Sequence, residues 1–200
     1  MIKAIIFDMD GVFFDSHDAW FKVFNKSREN FGFKPISLEE FDKNCWSVDS
    51  SIVVPRYFPK KSIQEVTSYY DKIFFEFMGD IKITPDVKET LTKLKEKGLK
   101  LAVATNTYNR QANRILKEIG IAHFFDIIVG ADDVRAGKPE PDMILKVVKD
   151  LRLNIKEVKF IGDSQIDIDT CKNAKCSTIG FKIDGDERIG DFKELLNLVV

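Results

Sequence analysis

The chain has little cysteine, little histidine and no long apolar run, and each shortage excludes a class of function. Three cysteines in 200 residues, Cys45, Cys171 and Cys176, are too few and too irregularly spaced for a disulfide framework or a zinc cage. They are expected as buried free thiols of a reducing compartment. No stretch approaches the ~20 apolar residues of a membrane span. The opening run meets Asp8 and Asp10 too soon for the apolar region of a signal peptide, so a cytoplasmic location is expected. Excess charge is also missing. Thirty-one basic residues against 32 acidic ones leave a formal charge of −1, which gives no global drive toward nucleic acid or an anionic membrane. Internal repeats, low-complexity tracts and flexible linkers are absent as well.

What is present describes a globular chain, 44% hydrophobic and 32% charged. A chain of this length buries roughly 70% of its unfolded surface and needs no metal or disulfide to hold a core. Phenylalanine stands out at 17 copies. Residues 2–7 form a short, nearly continuous apolar run, as a parallel strand covered on both faces requires. Similar runs recur at 99–104, 125–129, 158–161 and 177–181. Helical patterns lie between most of them. Residues 86–97 place Val87, Leu91 and Leu94 on one face, with Thr84 as N-cap, Pro85 first and Gly98 as stop. Residues 109–119 and 142–153 read the same way. The alternation predicts an α/β fold built on a Rossmann-like parallel sheet in three layers.

Residues 15–83 interrupt this alternation. Residues 16–31 read as a helix, Ser37-x-x-Glu40 and Ser62-x-x-Glu65 as capping boxes opening two more, and 51–57 as either helix or strand. Between Phe13 and Phe77 lie 11 of the 17 phenylalanines, both tryptophans and three of the four tyrosines. A helical insertion packing its own small core from large side chains is expected at 15–83, with 1–14 and 84–200 forming the α/β domain.

Ligands of an open parallel sheet sit at the carboxyl ends of its strands. The first strand runs into Asp8-Met9-Asp10-Gly11, the second into Thr105-Asn106-Thr107, the third toward Gly137-Lys138-Pro139, and the fourth into Gly162-Asp163-Ser164 with Asp167 and Asp169 beyond. One edge thus gathers carboxylates, hydroxyls, an amide and a lysine. Crowded carboxylates repel unless a cation sits among them. An all-oxygen set prefers a hard ion, and Mg²⁺ suits a site shared with phosphate oxygens.

Asp8-x-Asp10-Gly11-Val12, Thr105-Asn106, Lys138-Pro139 and Gly162-Asp163-x-x-x-Asp167 resemble, in order, the four motifs of the haloacid dehalogenase superfamily. The nearest likeness is to its phosphoglycolate phosphatase and β-phosphoglucomutase branch, which carries a helical cap between the first two motifs. The resemblance implies a phosphatase of small phosphorylated metabolites, acting as a monomer or homodimer. Asp8 is then the nucleophile that forms an aspartyl-phosphate, and Asp10 the general acid and base. Asp8, the Asp10 carbonyl and Asp163 hold Mg²⁺, and Asp167 orients that shell or binds through water. Thr105, Asn106 and Lys138 bind phosphate, and Lys138 also offsets charge on the nucleophile.

Simpler readings stand beside these. Asp167 could complement a helix dipole, Thr105 could cap the following helix, and Asp169 reads as a helix-surface acid. His17 and Asp18 fall at the edge of the insertion and read more readily as solvated than catalytic. Arg56, Lys60 and Lys61 could grip a second anion or form a solvated face, while Trp20, Phe24, Trp46 and Phe74-Phe75-x-Phe77 read as cap core. Among rival functions, dehalogenation has no need of Asp10 to protonate a leaving group. The mutase branch typically carries a histidine five residues after the counterpart of Asp15, where this chain has Trp20. A receiver-type binding module lacks a helical insertion.

Overall fold

The computed structural model describes residues 1–198. In chain order its elements are β1 (Ala4–Phe7), β2 (Phe14–Asp15), α1 (His17–Asn30), α2 (Leu38–Asn44), α3 (Ser50–Tyr57), α4 (Ile63–Ile73) and β3 (Lys82–Ile83). Then follow α5 (Val87–Glu96), β4 (Lys100–Ala104), α6 (Asn109–Glu118), β5 (Ile127–Val129) and α7 (Asp142–Asp150). The last are β6 (Val158–Gly162), α8 (Gln165–Ala174), β7 (Ser177–Phe181), β8 (Glu187–Ile189) and α9 (Leu195–Leu198). The chain divides into a body, Met1–Phe14 with Ile83–Val200, and an inserted unit, Asp15–Lys82.

The body is α/β. Its six strands form one parallel sheet in the order β5-β4-β1-β6-β7-β8. β1 lies between β4 and β6, with Ala4 opposite Lys100 on one side and Val158 on the other. All four of its residues are buried, which is why its run is apolar without alternation. One face of the sheet packs Ala4, Ile6, Ala102 and Phe160 against Met143, Ile144 and Val147 of α7 and Cys171 and Ala174 of α8. On the other, the Phe7 ring meets Phe13, Phe125 and Phe192, and α5 packs on the turn that carries Phe192. The sequence pattern shows no sign of β8, because Glu187-Arg188-Ile189 carries two charges; it lies at the sheet edge, where charge is tolerated.

Two local expectations are corrected. Asp86, in a left-handed conformation and with no side-chain cap bond, holds the N-cap position of α5 in place of Thr84: Pro85 and Asp86 form a turn, and the helix begins at Val87. Cys171 and Cys176 are joined as a disulfide, and Cys45 alone is a free thiol. Lys175 between them takes a left-handed conformation at the end of α8, folding the chain back until the two Cα atoms lie 5.3 Å apart. The inference of a reducing compartment from free thiols therefore loses its support.

The inserted unit is helical. The ambiguous 51–57 segment is helix, since the Asp49 side chain accepts a hydrogen bond from the Ser51 N–H and starts the turn. Ser62 and Glu65 form both halves of a capping box, and the Ser37 hydroxyl accepts from Glu40 N–H. Rings fill the interior: Phe58 is fully buried among Phe24, Phe31, Phe33 and Tyr70, while Trp20 packs on Tyr70 and Phe74. With its boundary at Asp15, this unit holds nine of the 17 phenylalanines. The remaining eight include the body's own ring cluster around Phe7. Among the described residues, no helix is long and apolar enough to cross a membrane.

Candidate active site

With β4 and β6 flanking β1, the strand order reverses at the centre of the sheet, and the carboxyl ends of these strands are where such sheets hold their ligands. Asp8 follows β1 directly, and its N–H donates to the Ile161 carbonyl at 2.8 Å, extending the ladder onto β6. At Gly11 the chain turns with φ +79°, and a Cβ there would lie 1.9 Å from Asp163 Oδ2. Only glycine lets the first turn approach that carboxylate.

Lys138 reaches in from the loop after β5. Its Nζ lies 2.7 Å from Asp8 Oδ1 and 2.7 Å from Asp167 Oδ1. All three side chains are buried, with exposures of 4%, 4% and 0% for Asp8, Lys138 and Asp167. Asp167 is also the third helical residue of α8, and its Oδ2 accepts from the Ser164 hydroxyl at 2.6 Å and from Ser164 N–H at 3.2 Å. One carboxylate oxygen closes the helix and the other faces Lys138, so the cap does not take Asp167 out of the cluster. Ser164-x-x-Asp167 is a capping pattern that was readable from the sequence.

Asp8, Asp163 and Asp167 each offer a carboxylate oxygen within 4.8 Å of the others. Burial raises the Asp8 pKa well above the usual carboxylate range, Asp167 and Asp163 push it further, and Lys138 pulls it back. Burial, with the Asp167 charge, lifts Asp163 to about 7 against the pull of Lys138. Burial works against charge on Lys138, but Asp167 and Asp8 outweigh it and hold the ammonium charged. Fully ionised, three carboxylates against one ammonium would carry two net negative charges, which a hard divalent cation among these oxygens would match in charge and donor type.

The second strand end is tied to the third. Thr105 is buried, and its N–H donates to the Val129 carbonyl. Its hydroxyl accepts from Thr107 N–H at 3.1 Å and does not cap α6, which starts at Asn109. The Asn106 side chain is committed to Lys138: Nδ2 donates to the Lys138 carbonyl at 3.1 Å and Oδ1 accepts the Lys138 N–H at 2.8 Å. This pair of hydrogen bonds to the backbone holds the Lys138 segment in place, a task 32 residues distant that spacing does not reveal. Asp10 is half-buried, and its Oδ2 accepts from the Thr107 hydroxyl at 3.3 Å. Asp169 accepts from Gln165 along α8.

In the inserted unit the other candidates find local partners. His17 Nε2 lies 2.6 Å from Asp42 Oδ1, and its ring meets Phe41 and Trp46. Arg56 bonds Asn44 and lies over Tyr57, and Lys61 approaches Glu65 and the Phe31 ring. Trp20 is part of the ring core.

The model of the haloacid dehalogenase-like hydrolase family matches residues 5–181. A provisionally named pyrophosphatase, PpaX, of Caldanaerobacter subterraneus subsp. tengcongensis is 31% identical over 196 residues, covering 90% of this chain and 82% of that protein. A phosphorylated carbohydrates phosphatase of Thermotoga maritima is 30% identical over 178 residues, covering 86% and 82%. The crystal structure of a β-phosphoglucomutase from Clostridium difficile superposes with a TM-score of 0.82 at 22% identity, over 98% of this chain and 93% of that one, a likeness of fold.

Proposed function

The chain belongs to the haloacid dehalogenase-like hydrolase family, in its phosphoglycolate phosphatase and β-phosphoglucomutase-like branch, and from that premise we propose that it is a Mg²⁺-dependent phosphatase. It hydrolyses a small phosphorylated metabolite through an aspartyl-phosphate on Asp8. The observation that carries this reading is the convergence of Asp8, Asp163 and Asp167, with the buried ammonium of Lys138 on Asp8 and Asp167.

An Asp8 oxygen attacks phosphorus, and the P–O bond to the leaving group breaks. Asp10 gives its proton to the departing oxygen, then takes one from the water that cleaves the acyl phosphate. Burial raises the cost of ionising Asp8, and Lys138, 2.7 Å away, offsets it. Asp8, the Asp10 carbonyl and Asp163 would hold Mg²⁺, with Asp167 in support. Bound there, the ion neutralises the remaining carboxylate charge and polarises the phosphoryl oxygens. Thr105 and the backbone amide of Asn106 bind phosphoryl oxygens, while the Asn106 side chain serves Lys138. Trp20, spent on ring packing, supplies no proton-transferring group, which favours hydrolysis over mutase action.

Hydrolysis of p-nitrophenyl phosphate is expected to need Mg²⁺, to stop in EDTA, and to fall by at least about 10³-fold in Asp8→Asn. Sustained turnover in EDTA, or by that variant, overturns the assignment of metal or nucleophile.

A further inference from the structure

Thr107 touches the proton-donating carboxylate from a neighbouring strand end, and the proposed reaction as written leaves it without a task. Its Oγ1 lies 3.3 Å from Asp10 Oδ2 across 97 residues of chain. The two come from adjacent strands, with Phe7 of β1 opposite Val103 of β4. Resting on the phosphatase reading, we propose that Thr107 is a positioning residue for Asp10. Its hydroxyl holds the carboxyl in the orientation from which it protonates the leaving oxygen, and stabilises the carboxylate formed when the proton departs.

The turn that presents this hydroxyl is anchored at both ends. Thr107 N–H donates to the Thr105 hydroxyl at 3.1 Å, tying the turn to the end of β4. The far end meets Gly130, where a Cβ would lie 2.8 Å from the Thr107 carbonyl oxygen and 2.2 Å from the Asn109 nitrogen. That absence of a side chain lets the segment after β5 close on the turn. Asn109 N–H then donates to Asp132 Oδ1 at 2.7 Å, and Asn109 Nδ2 to the Ile128 carbonyl and Asp133 Oδ2. A hydroxyl on so constrained a segment keeps its direction without ordering cost during the reaction.

The chemistry sets how much this contact is worth. As the P–O bond to the leaving group breaks, its electron pair passes to the leaving oxygen. That oxygen takes the Asp10 proton, and Asp10 becomes a carboxylate. The bond from Thr107 then becomes charge-assisted, stronger in the transition state than before it. Its contribution grows with the extent of proton transfer. An alkoxide leaving group needs its proton; p-nitrophenolate departs with little help.

The test compares p-nitrophenyl phosphate with the best-hydrolysed alkyl phosphate of a panel, using wild type, Thr107→Val and Thr107→Ser, each checked for an unchanged melting temperature. Thr107→Ala replaces Thr107→Val if the latter does not fold. Loss of the hydroxyl is expected to lower kcat on the alkyl ester about tenfold with KM little changed, as one hydrogen bond's worth implies. The aryl ester is expected to change less than about threefold, and Thr107→Ser to restore the alkyl rate. An equal fall on both esters, no fall on either, or failure of serine to restore the rate overturns the positioning role. Wild-type protein that hydrolyses no phosphomonoester with Mg²⁺ overturns the phosphatase reading itself, and this proposal with it.

Discussion

In the body, strands of small and branched residues are buried on both faces, and charge is buried at their ends: Asp8, Lys138 and Asp167 are each at most 4% exposed. In the inserted unit the interior is made of rings, Phe24, Phe41, Phe58, Tyr70 and Phe74, and its lysine pairs Lys22–Asp80 and Lys26–Glu76 lie at the surface. Buried charge needs partners fixed in advance, because an ion that loses its partner in a dry interior is costly. Strand ends locked into one ladder provide such partners. Short helices packing rings achieve burial by shape alone and have no comparable row of fixed backbone groups. The difference separates the part of the chain suited to hold a reaction from the part suited to pack.

The largest expected effect comes from removing the cation that the body's charges share. Lys138→Met leaves Asp8 and Asp167 buried without it and is expected to cost about 3 kcal/mol in urea unfolding of the metal-free protein, together with nearly all activity. A cost below that of a ring substitution in the inserted unit would break the contrast. Next in size is the linkage of the acidic cluster to pH and metal. With Asp163 raised from 3.8 to about 7, the folded state holds a proton that the unfolded chain has already released. That contribution to stability is full below pH 3.8 and is lost as pH rises through 7. The melting temperature of the metal-free protein is therefore expected to fall between pH 6 and pH 8. Mg²⁺ at a hundredfold excess over its Kd should add about 2.7 kcal/mol at pH 8, and less at pH 6, where protons compete. An equal gain at both values counts against metal binding by this cluster. Smallest is Phe58→Leu in the inserted unit, expected to cost about 1.5 kcal/mol in lost ring contacts while leaving the Mg²⁺-linked melting shift intact.

The body was legible because its signals are local. Continuous apolar runs mark buried strands, and the residue types that follow them mark the strand ends, which is why Asp8, Asp163, Asp167 and Lys138 stand out in the sequence. What escaped depended on distance or on the edge. β8 lies where apolar character is not demanded, so its composition carries no strand pattern. The Cys171–Cys176 bond depends on one left-handed residue between them, and spacing alone did not suggest it. The Asn106 side chain clamps the Lys138 backbone, a contact set by where two loops meet and not by spacing along the chain. Phe13 and Phe14 fall just before the insertion and are buried in the body, yet nine of the 17 phenylalanines still lie in the insertion.

The central position of β1 bears on the order in which the chain can be assembled. Ala4 must find Lys100 on one side and Val158 on the other, so β1 is made well before either of its neighbours. The inserted unit is continuous in sequence from Asp15 to Lys82, and its helices can pack while the rest of the chain is still being made. During that interval the apolar Ala4–Phe7 segment has no sheet to join. Its exposure is relieved on one side when β4 emerges and on the other only with β6, so Ala4–Phe7 needs protection while the intervening chain is made.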